Sequence, residues 1–242
     1  MTASAIVQGS LSKGMDQPAS TSITLPRSLF IFSLLYGGLV VLAGVLGTKL
    51  ASLGHWPVLG DLAVESGIFA FLFLVVLSSA VAELYGKDMA NRLVRYGFIP
   101  LIFSMVTLKI VIEFIPPASF WPDQDAFALV LGQAARMQFA GLVSYGVSQT
   151  LNVYLFSKLA GDKLGQERSA MLLVRAWLAS MLSQIVDTVI FITISFIGKD
   201  EPLVSIMVGQ IISKLVLSTI MVPPLILFFV RLGRRLDAGN KA

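Results

Sequence analysis

Long apolar segments separated by short polar ones make up most of the chain. A helix needs about 20 consecutive apolar residues to cross a bilayer, and six segments come close to that length or exceed it. They are residues 30–48, 66–82, 97–114, 137–157, 176–197 and 203–230. The pattern predicts an all-α fold, a polytopic membrane bundle of six transmembrane helices.

The segments outside these spans predict how the chain is organised. Residues 1–27 are small and polar, which is typical of a flexible tail, residues 28–231 form one transmembrane transport domain, and residues 232–242 are a basic tail. Residues 126–137 have a helical pattern, so the fourth helix is expected to begin well before the membrane. Two prolines, Pro223 and Pro224, lie inside the sixth span and predict a kink, with a gating hinge as the alternative.

Composition narrows the function classes. Hydrophobic residues make up 56% of the chain, and the segment pattern leaves no room for a soluble catalytic domain. There is no cysteine and one histidine, so thiol chemistry is excluded and a zinc site has almost no ligands. We find no nucleotide-binding loop or hydrolase motif and predict that the protein is not an enzyme and has no cofactor.

The distribution of charge predicts the orientation of the helices and explains the basic net charge of +4 without nucleic acid. Lys and Arg are concentrated before the first span, between the second and third, between the fourth and fifth, and after the sixth. The opposite side carries Asp61, Glu65, Glu113, Asp123, Asp125, Asp200 and Glu201, with Lys49, Arg136 and Lys199 as its basic residues. The positive-inside rule places both termini in the cytoplasm.

Two predicted spans carry polar side chains at helical spacing. They are Tyr145, Gln149 and Asn152 on the fourth span, and Ser180, Gln184 and Asp187 on the fifth. Each set falls at i, i+4 and i+7, which forms a stripe on one face of a helix. Amides in such stripes either join helices or contact a ligand, and the sequence leaves both readings open. An Asp at the centre of a span costs roughly 2.5–3.5 kcal/mol, which favours a functional role for Asp187.

Charged residues near these stripes have alternative roles. Lys214 is the cation deep in the sixth span, and it either pairs with Asp187, contacts substrate or assists ion coupling. Lys109 and Glu113 are expected to form a local i,i+4 ion pair. Glu83 ends the second span before Gly86, a predicted helix stop, where it either faces cytoplasmic water or contributes to the site. Arg136 either attracts substrate or orients the fourth helix.

Four segments resemble the bacterial queuosine precursor transporter family, also described as vitamin uptake transporter-like. They are AELYGKDMANRLVRYGF, RMQFAGLVSYGVSQTLNVYLFSKL, RAWLASMLSQIVDTVIFITISFIG and GQIISKLVLSTIMVPPL, spread in order over residues 77–225. The positions that match the family are Glu83, Tyr85, Gly86, Arg136, Tyr145, Gln149, Arg175, Gln184, Asp187 and Lys214. Ser79 and Asn152 stand where some members have an acid.

The resemblance implies a multi-pass protein of the cell inner membrane that imports 7-deazaguanine precursors of queuosine. The implied substrates are 7-cyano- and 7-aminomethyl-7-deazaguanine, carried by secondary transport. The substrate-binding candidates are Gln149, Asn152, Gln184, Asp187, Tyr145, Lys214, Glu83, Ser79 and Arg136. Asp187 and the neighbouring amides suit the hydrogen-bonding edge of such a base, and an aromatic ring such as that of Tyr145, Phe156 or Phe191 could stack on it.

Several partners remain open at this stage. The coupling ion is a proton or sodium, and the oligomeric state is open, with a homodimer as one alternative. A second hypothesis makes the chain the substrate-binding subunit of an importer for a vitamin or nucleobase that is energised by a separate ATPase, because the chain has no nucleotide motif of its own. In either case the partners are a small-molecule substrate and the lipid bilayer, and no nucleic acid.

Overall fold

A computed structural model describes residues 25–160 and 169–239 of the chain. In this part of the chain, helices account for nearly all regular structure, with one short hairpin of strands. The elements are α1 (Arg27–Gly47), β1 (Leu50–Trp56), β2 (Gly60–Glu65), α2 (Ile68–Tyr85), α3 (Lys87–Phe114), α4 (Gln124–Ala160), α5 (Ser169–Phe196), α6 (Leu203–Ile220) and α7 (Val222–Ala238). The predicted flexible tail lies almost wholly outside the described residues.

Five of the described helices are long and apolar enough to cross a membrane. They are α1, α2, α3, the Gln124–Ser148 part of α4, and α6. In α5 the shorter apolar segment Met181–Phe196 lies within the predicted fifth span. The mostly helical fold with several helices capable of spanning a membrane is therefore confirmed, while the count of six spans and the cytoplasmic position of both termini stay predictions.

Helix boundaries follow the local sequence signals. Gly86 has a φ of 87°, a conformation that favours glycine, and it separates α2 from α3 with no intervening loop. The predicted helix stop at Gly86 is thus confirmed. The early start of the fourth helix is also confirmed, since α4 begins at Gln124 and runs for 37 residues.

The hairpin of β1 and β2 departs from the all-α prediction. The two strands pair antiparallel between the end of α1 and the start of α2, with an irregularity between Ser52 and His55. Leu62 and Val64 lie on one face of β2 and both are buried, whereas Asp61 and Ala63 on the other face are more exposed. The backbone of β2 lies against α6, where the carbonyl of Ala63 occupies the space that a side chain at Gly209 would fill. The hairpin is therefore part of the packed bundle.

The predicted sixth span is divided at Met221. The helix α6 ends at Ile220, and α7 begins at Val222 with Pro223 and Pro224 in its first turn. Prolines fit there because the first amides of a helix have no partner within it. The predicted kink is therefore a break. It separates α6, which packs on α5 and β2, from α7, which packs on α2 and α1.

A polar contact fastens the two ends of the described chain to each other. The carboxylate of Asp237 near the end of α7 accepts hydrogen bonds from the backbone and hydroxyl of Ser28, each 3.0 Å long, and from the Tyr85 hydroxyl. Partial burial raises the pKa of Asp237, but the bonds from Tyr85 and Ser28 outweigh it and hold the pKa below its usual value. The ionised carboxylate therefore stabilises the junction of α1, α2 and α7.

We predict that Asp237→Asn lowers the free energy of unfolding by roughly 1–3 kcal/mol near neutral pH, because it weakens hydrogen bonds to a charged group. A depressed folded-state pKa gives a contribution that is present above the unfolded pKa of about 3.9 and is lost as the pH falls through the folded value. Thermal unfolding in detergent should show a lower midpoint for the variant near neutrality and a shrinking difference in acid. Asp200→Asn, at an exposed position, is the control, and equal midpoints for Asp237→Asn and wild type would contradict the prediction.

Candidate functional site

An ion pair joins α5 to α6 inside the bundle. The ammonium of Lys214 lies 3.0 Å from Oδ2 of Asp187, and the two side chains are 14% and 20% exposed. The predicted pairing of these residues is confirmed. Removing either partner would leave the other charge largely buried, which typically costs about 3–5 kcal/mol.

Helices α2 and α4 complete the surroundings of this pair. The hydroxyl of Ser148 on α4 donates to Oδ1 of Asp187 at 3.3 Å, and Lys214 also donates to the hydroxyl of Thr188 at 3.1 Å. The ring of Phe71 on α2 lies 5.5 Å from the ammonium, a distance at which a cation is attracted to an aromatic face. Four helices therefore meet at one charged centre, and Phe71 is a member that the sequence does not indicate.

Lys214 and Asp187 differ in the number of hydrogen bonds that each can form. Lys214 has three N–H donors, of which Asp187 and Thr188 accept two, while the Phe71 ring lies near the same ammonium. A carboxylate offers about four lone-pair sites, and Ser148 and Lys214 each donate one hydrogen bond to Asp187. Because each carboxylate oxygen has two lone pairs, a carboxylate that accepts one bond at each oxygen has the capacity for further N–H donors.

The amides of the two stripes are only partly described. Gln184 is exposed on α5, three residues before Asp187, and it makes an interaction, as does the buried Ser183. The backbones of Gln149 and Asn152 belong to α4, but their side chains lie outside the described part of the structure. The predicted convergence of these amides on Asp187 therefore stays a prediction.

Tyr145 packs toward another neighbour. Its ring centroid lies 5.1 Å from that of Phe98 on α3, and its backbone carbonyl accepts a hydrogen bond from Ser148. The ring thus lines the contact of α4 with α3, next to the charged centre along the helix. Its role in stacking on a base stays a prediction.

Ser79 and Glu83 lie farther along α2. Phe71 is the residue of α2 beside Lys214, and at 1.5 Å per residue Ser79 and Glu83 follow it by about 12 Å and about 18 Å. Ser79 is partly buried and Glu83 is exposed. Both positions lie toward the Gly86 end of α2, and no contact in the described structure joins them to Asp187.

Arg136 is engaged with the end of α5. Its guanidinium donates to the carbonyls of Ile194, at 2.7 Å, and Ile197, and nearby Gln133 donates to the carbonyl of Ser195 at 2.9 Å. Cations at the C-terminal end of a helix satisfy its last carbonyls and its dipole. These contacts match the alternative in which Arg136 orients the helix.

Arg136 also borders a surface groove between α3 and α4. The groove has a volume of about 480 Å³ and is lined in part by Lys109 and Glu113. The predicted local ion pair of these two residues is confirmed at 3.9 Å, with both side chains more than half exposed. An exposed pair of this kind contributes little to stability.

Glu65 is a buried acid that sequence reasoning assigns only to the outer membrane boundary. It ends β2, outside the spanning helices, and is 4% exposed. The amide of Gln210 on α6 donates to its Oε1 at 2.9 Å. Burial raises the pKa of Glu65 to about 7, against the lowering effects of the Gln210 bond, of backbone amides at Gly67 and Ile68, and of the Lys214 charge.

The burial of Glu65 carries no local sequence signal. Its strand is short, and Gln210 lies 145 positions farther along the chain. Two glycines make the space for the carboxylate: a Cβ at Gly67 would lie 2.5 Å from Oε2 of Glu65, and a Cβ at Gly47 would lie 3.0 Å from it. Among residues 25–160 and 169–239 no group of three or more His, Cys, Asp or Glu side chains is placed to hold a metal.

Comparisons with known proteins agree with the resemblance of the motifs. A family model described as "Putative vitamin uptake transporter" matches residues 65–228. The "Probable queuosine precursor transporter" of Bacillus subtilis (strain 168) is 31% identical over 120 residues, which cover 48% of this chain and 49% of that relative. The match thus spans about half the length of the relative. No solved structure matches the chain. Because the family model covers well over half of the sequence, this protein belongs to the vitamin uptake transporter family.

Proposed function

We propose that this protein imports 7-deazaguanine precursors of queuosine, such as 7-cyano- and 7-aminomethyl-7-deazaguanine, as a secondary transporter. The observation that carries the proposal is the Asp187–Lys214 pair, where four helices meet around a largely buried carboxylate. The Bacillus subtilis relative, named "Probable queuosine precursor transporter", supports the substrate class.

The chemistry of the base suits this centre. A 7-deazaguanine presents the N1–H and the exocyclic amino group side by side as donors, with a carbonyl next to them. A carboxylate accepts two parallel N–H donors, as it does from a guanidinium. Asp187 is the proposed acceptor, Gln184 with Gln149 and Asn152 the proposed amide partners, and Lys214 the group that holds the carboxylate in place.

The proposed orientation has both termini in the cytoplasm of the cell inner membrane, with six spans and the hairpin on the outer side. The support is the alternation of basic and acidic loops. In this orientation Glu65 and Arg136 lie toward the outside, and Ser79 and Glu83 lie toward the cytoplasm.

Single cysteines will test this orientation, because the natural chain has none. We predict that Val58→Cys in the hairpin turn, 92% exposed, reacts with a membrane-impermeant maleimide on intact cells. Asp88→Cys at the start of α3 should react only after the cells are opened. The reverse pattern would overturn the orientation.

We predict that cells dependent on salvage accumulate labelled 7-cyano-7-deazaguanine through this protein and that Asp187→Ala and Gln184→Ala each reduce uptake at least about tenfold. The reason is that one good hydrogen bond to a charged group is worth about 1.5–3 kcal/mol. Expression levels in the membrane must match wild type, and Glu113→Gln, at the exposed ion pair, is the control that should keep normal uptake. Wild-type uptake by both variants would disprove the site.

The alternative of an ATPase-energised importer leads to a different result in liposomes. We predict that the purified chain alone exchanges labelled for unlabelled 7-cyano-7-deazaguanine across the membrane and discriminates against guanine. Exchange that appears only when a membrane extract and ATP are added would favour the substrate-binding subunit instead.

A further inference from the structure

Glu65 and Asp187 are two carboxyl groups that contact the same face of α6. Gln210, which is bound to Glu65, and Lys214, which is bound to Asp187, are four residues apart and therefore neighbours on that helix. The charge of Lys214 acts on Glu65 as well as on Asp187. The Lys214 ammonium thus interacts electrostatically with both carboxyl groups.

The surroundings of Glu65 include groups that favour its ionised form and groups that favour its protonated form. Its Oε1 accepts from Gln210, and the backbone amides of Gly67 and Ile68 favour the ionised form. Burial at 4% exposure favours the neutral acid. The Gln210 side chain is 2% exposed, and its Oε1 is buried without a hydrogen-bond partner among the described residues. A carboxamide rotated by half a turn presents that oxygen to a protonated Glu65 as an acceptor.

Lys214 is the charged side chain that acts on the pKa of Glu65, because the other described neighbours of Glu65 are uncharged or are bonded elsewhere. Gly47 of α1, Gly67 at the start of α2 and Met137 of α4 are uncharged and line the carboxylate. Lys49 is exposed beside β1, and Asp61 at the other end of β2 is exposed and bonded to His55. On α4, the guanidinium of Arg136 is directed to carbonyls of α5.

We propose that Glu65 binds and releases the coupling proton of this transporter, and that Lys214 transmits the state of Glu65 to the substrate-binding carboxylate of Asp187. This proposal rests on the proposed transport function. A proton from the outer solution adds to the carboxylate and forms the neutral acid, and the same proton later leaves to water on the inner side. No other bond forms or breaks.

Coupling follows from the shared ammonium. When Glu65 is ionised, two carboxylates attract Lys214, and the three groups carry a net charge of −1. When Glu65 is protonated, the net charge is zero and Lys214 is left to Asp187 alone, which fixes that carboxylate for its ligand. Proton binding and substrate binding therefore strengthen each other, and linkage requires the effect to be reciprocal.

Proteoliposomes provide the test. For one proton per substrate, an inward gradient of one pH unit supports at most about tenfold accumulation of 7-cyano-7-deazaguanine. We expect wild type to accumulate the base in this way and to lose accumulation with a protonophore. Glu65→Gln should lose accumulation but keep exchange of labelled for unlabelled base, and Glu113→Gln should keep both. Accumulation by Glu65→Gln that still follows the proton gradient, or wild-type accumulation that ignores it, would overturn the proposal.

Infrared spectroscopy of the protein without substrate separates this proposal from the proposed function. Between about pH 8 and about pH 6, on either side of the Glu65 pKa of about 7, a carboxylic acid C=O band should appear in wild type and be absent in Glu65→Gln. The Gln210→Leu variant, which keeps the acid but removes its amide partner, should shift this band and its midpoint. Absence of the band in wild type would overturn proton binding at Glu65. If the band appears but wild type neither exchanges nor accumulates the base, the proposed substrate is wrong, while proton binding at Glu65 stands.

Discussion

The burial of Asp187 and Lys214 against each other is the constraint on which the interior of this bundle depends. Each charge alone would be expensive in a membrane, and together they are tolerable because the pair is short and further polar groups serve it. Ser148 and Thr188 supply those groups from α4 and α5. The ion pair therefore fixes the relative positions of α4, α5 and α6. It also places a carboxylate in the interior.

The hairpin closes this interior at one end. Leu50 and Ala63 of the hairpin pack against a cluster of Met137, Ile192, Phe196 and Ile206 from α4, α5 and α6. The close fit of β2 on Gly209 and the burial of Glu65 beside Gly47 and Gly67 depend on glycines that a larger residue would disrupt. The hairpin thus brings a second acid to α6, one turn of helix from Lys214. The proton and substrate sites that we propose meet on that helix.

Sequence periodicity suffices for the long helices because a membrane span must be both apolar and about 20 residues long. Local chemistry also suffices for the stop at Gly86, the break near Pro223 and the pair of Lys109 with Glu113. The pairing of Asp187 with Lys214 follows from a cost argument, since two opposite charges on neighbouring spans have few other ways to be satisfied.

The features that escape prediction depend on contacts between distant parts of the chain. The hairpin occupies 16 residues, Leu50 to Glu65, and its alternation is too brief to be separated from a polar loop. Glu65 is buried because α6 and the glycines at the end of α1 and the start of α2 pack around it. Phe71 is one of sixteen phenylalanines, and its contact with Lys214 depends on how α2 packs near α6. Such positions are set by tertiary packing, which a local pattern does not encode.

Direct titration of the purified protein with 7-cyano-7-deazaguanine tests the central claim that Asp187 is both a structural partner of Lys214 and the acceptor for the base. The decisive comparison is the dissociation constant of Asp187→Asn with that of wild type, in samples whose folding is verified by thermal unfolding. We expect the variant to bind at least about tenfold more weakly, since the amide of Asn replaces one of the two acceptor oxygens with an NH2 donor, which cannot accept the second N–H of the base. An unchanged dissociation constant in a folded Asp187→Asn protein would contradict the claim.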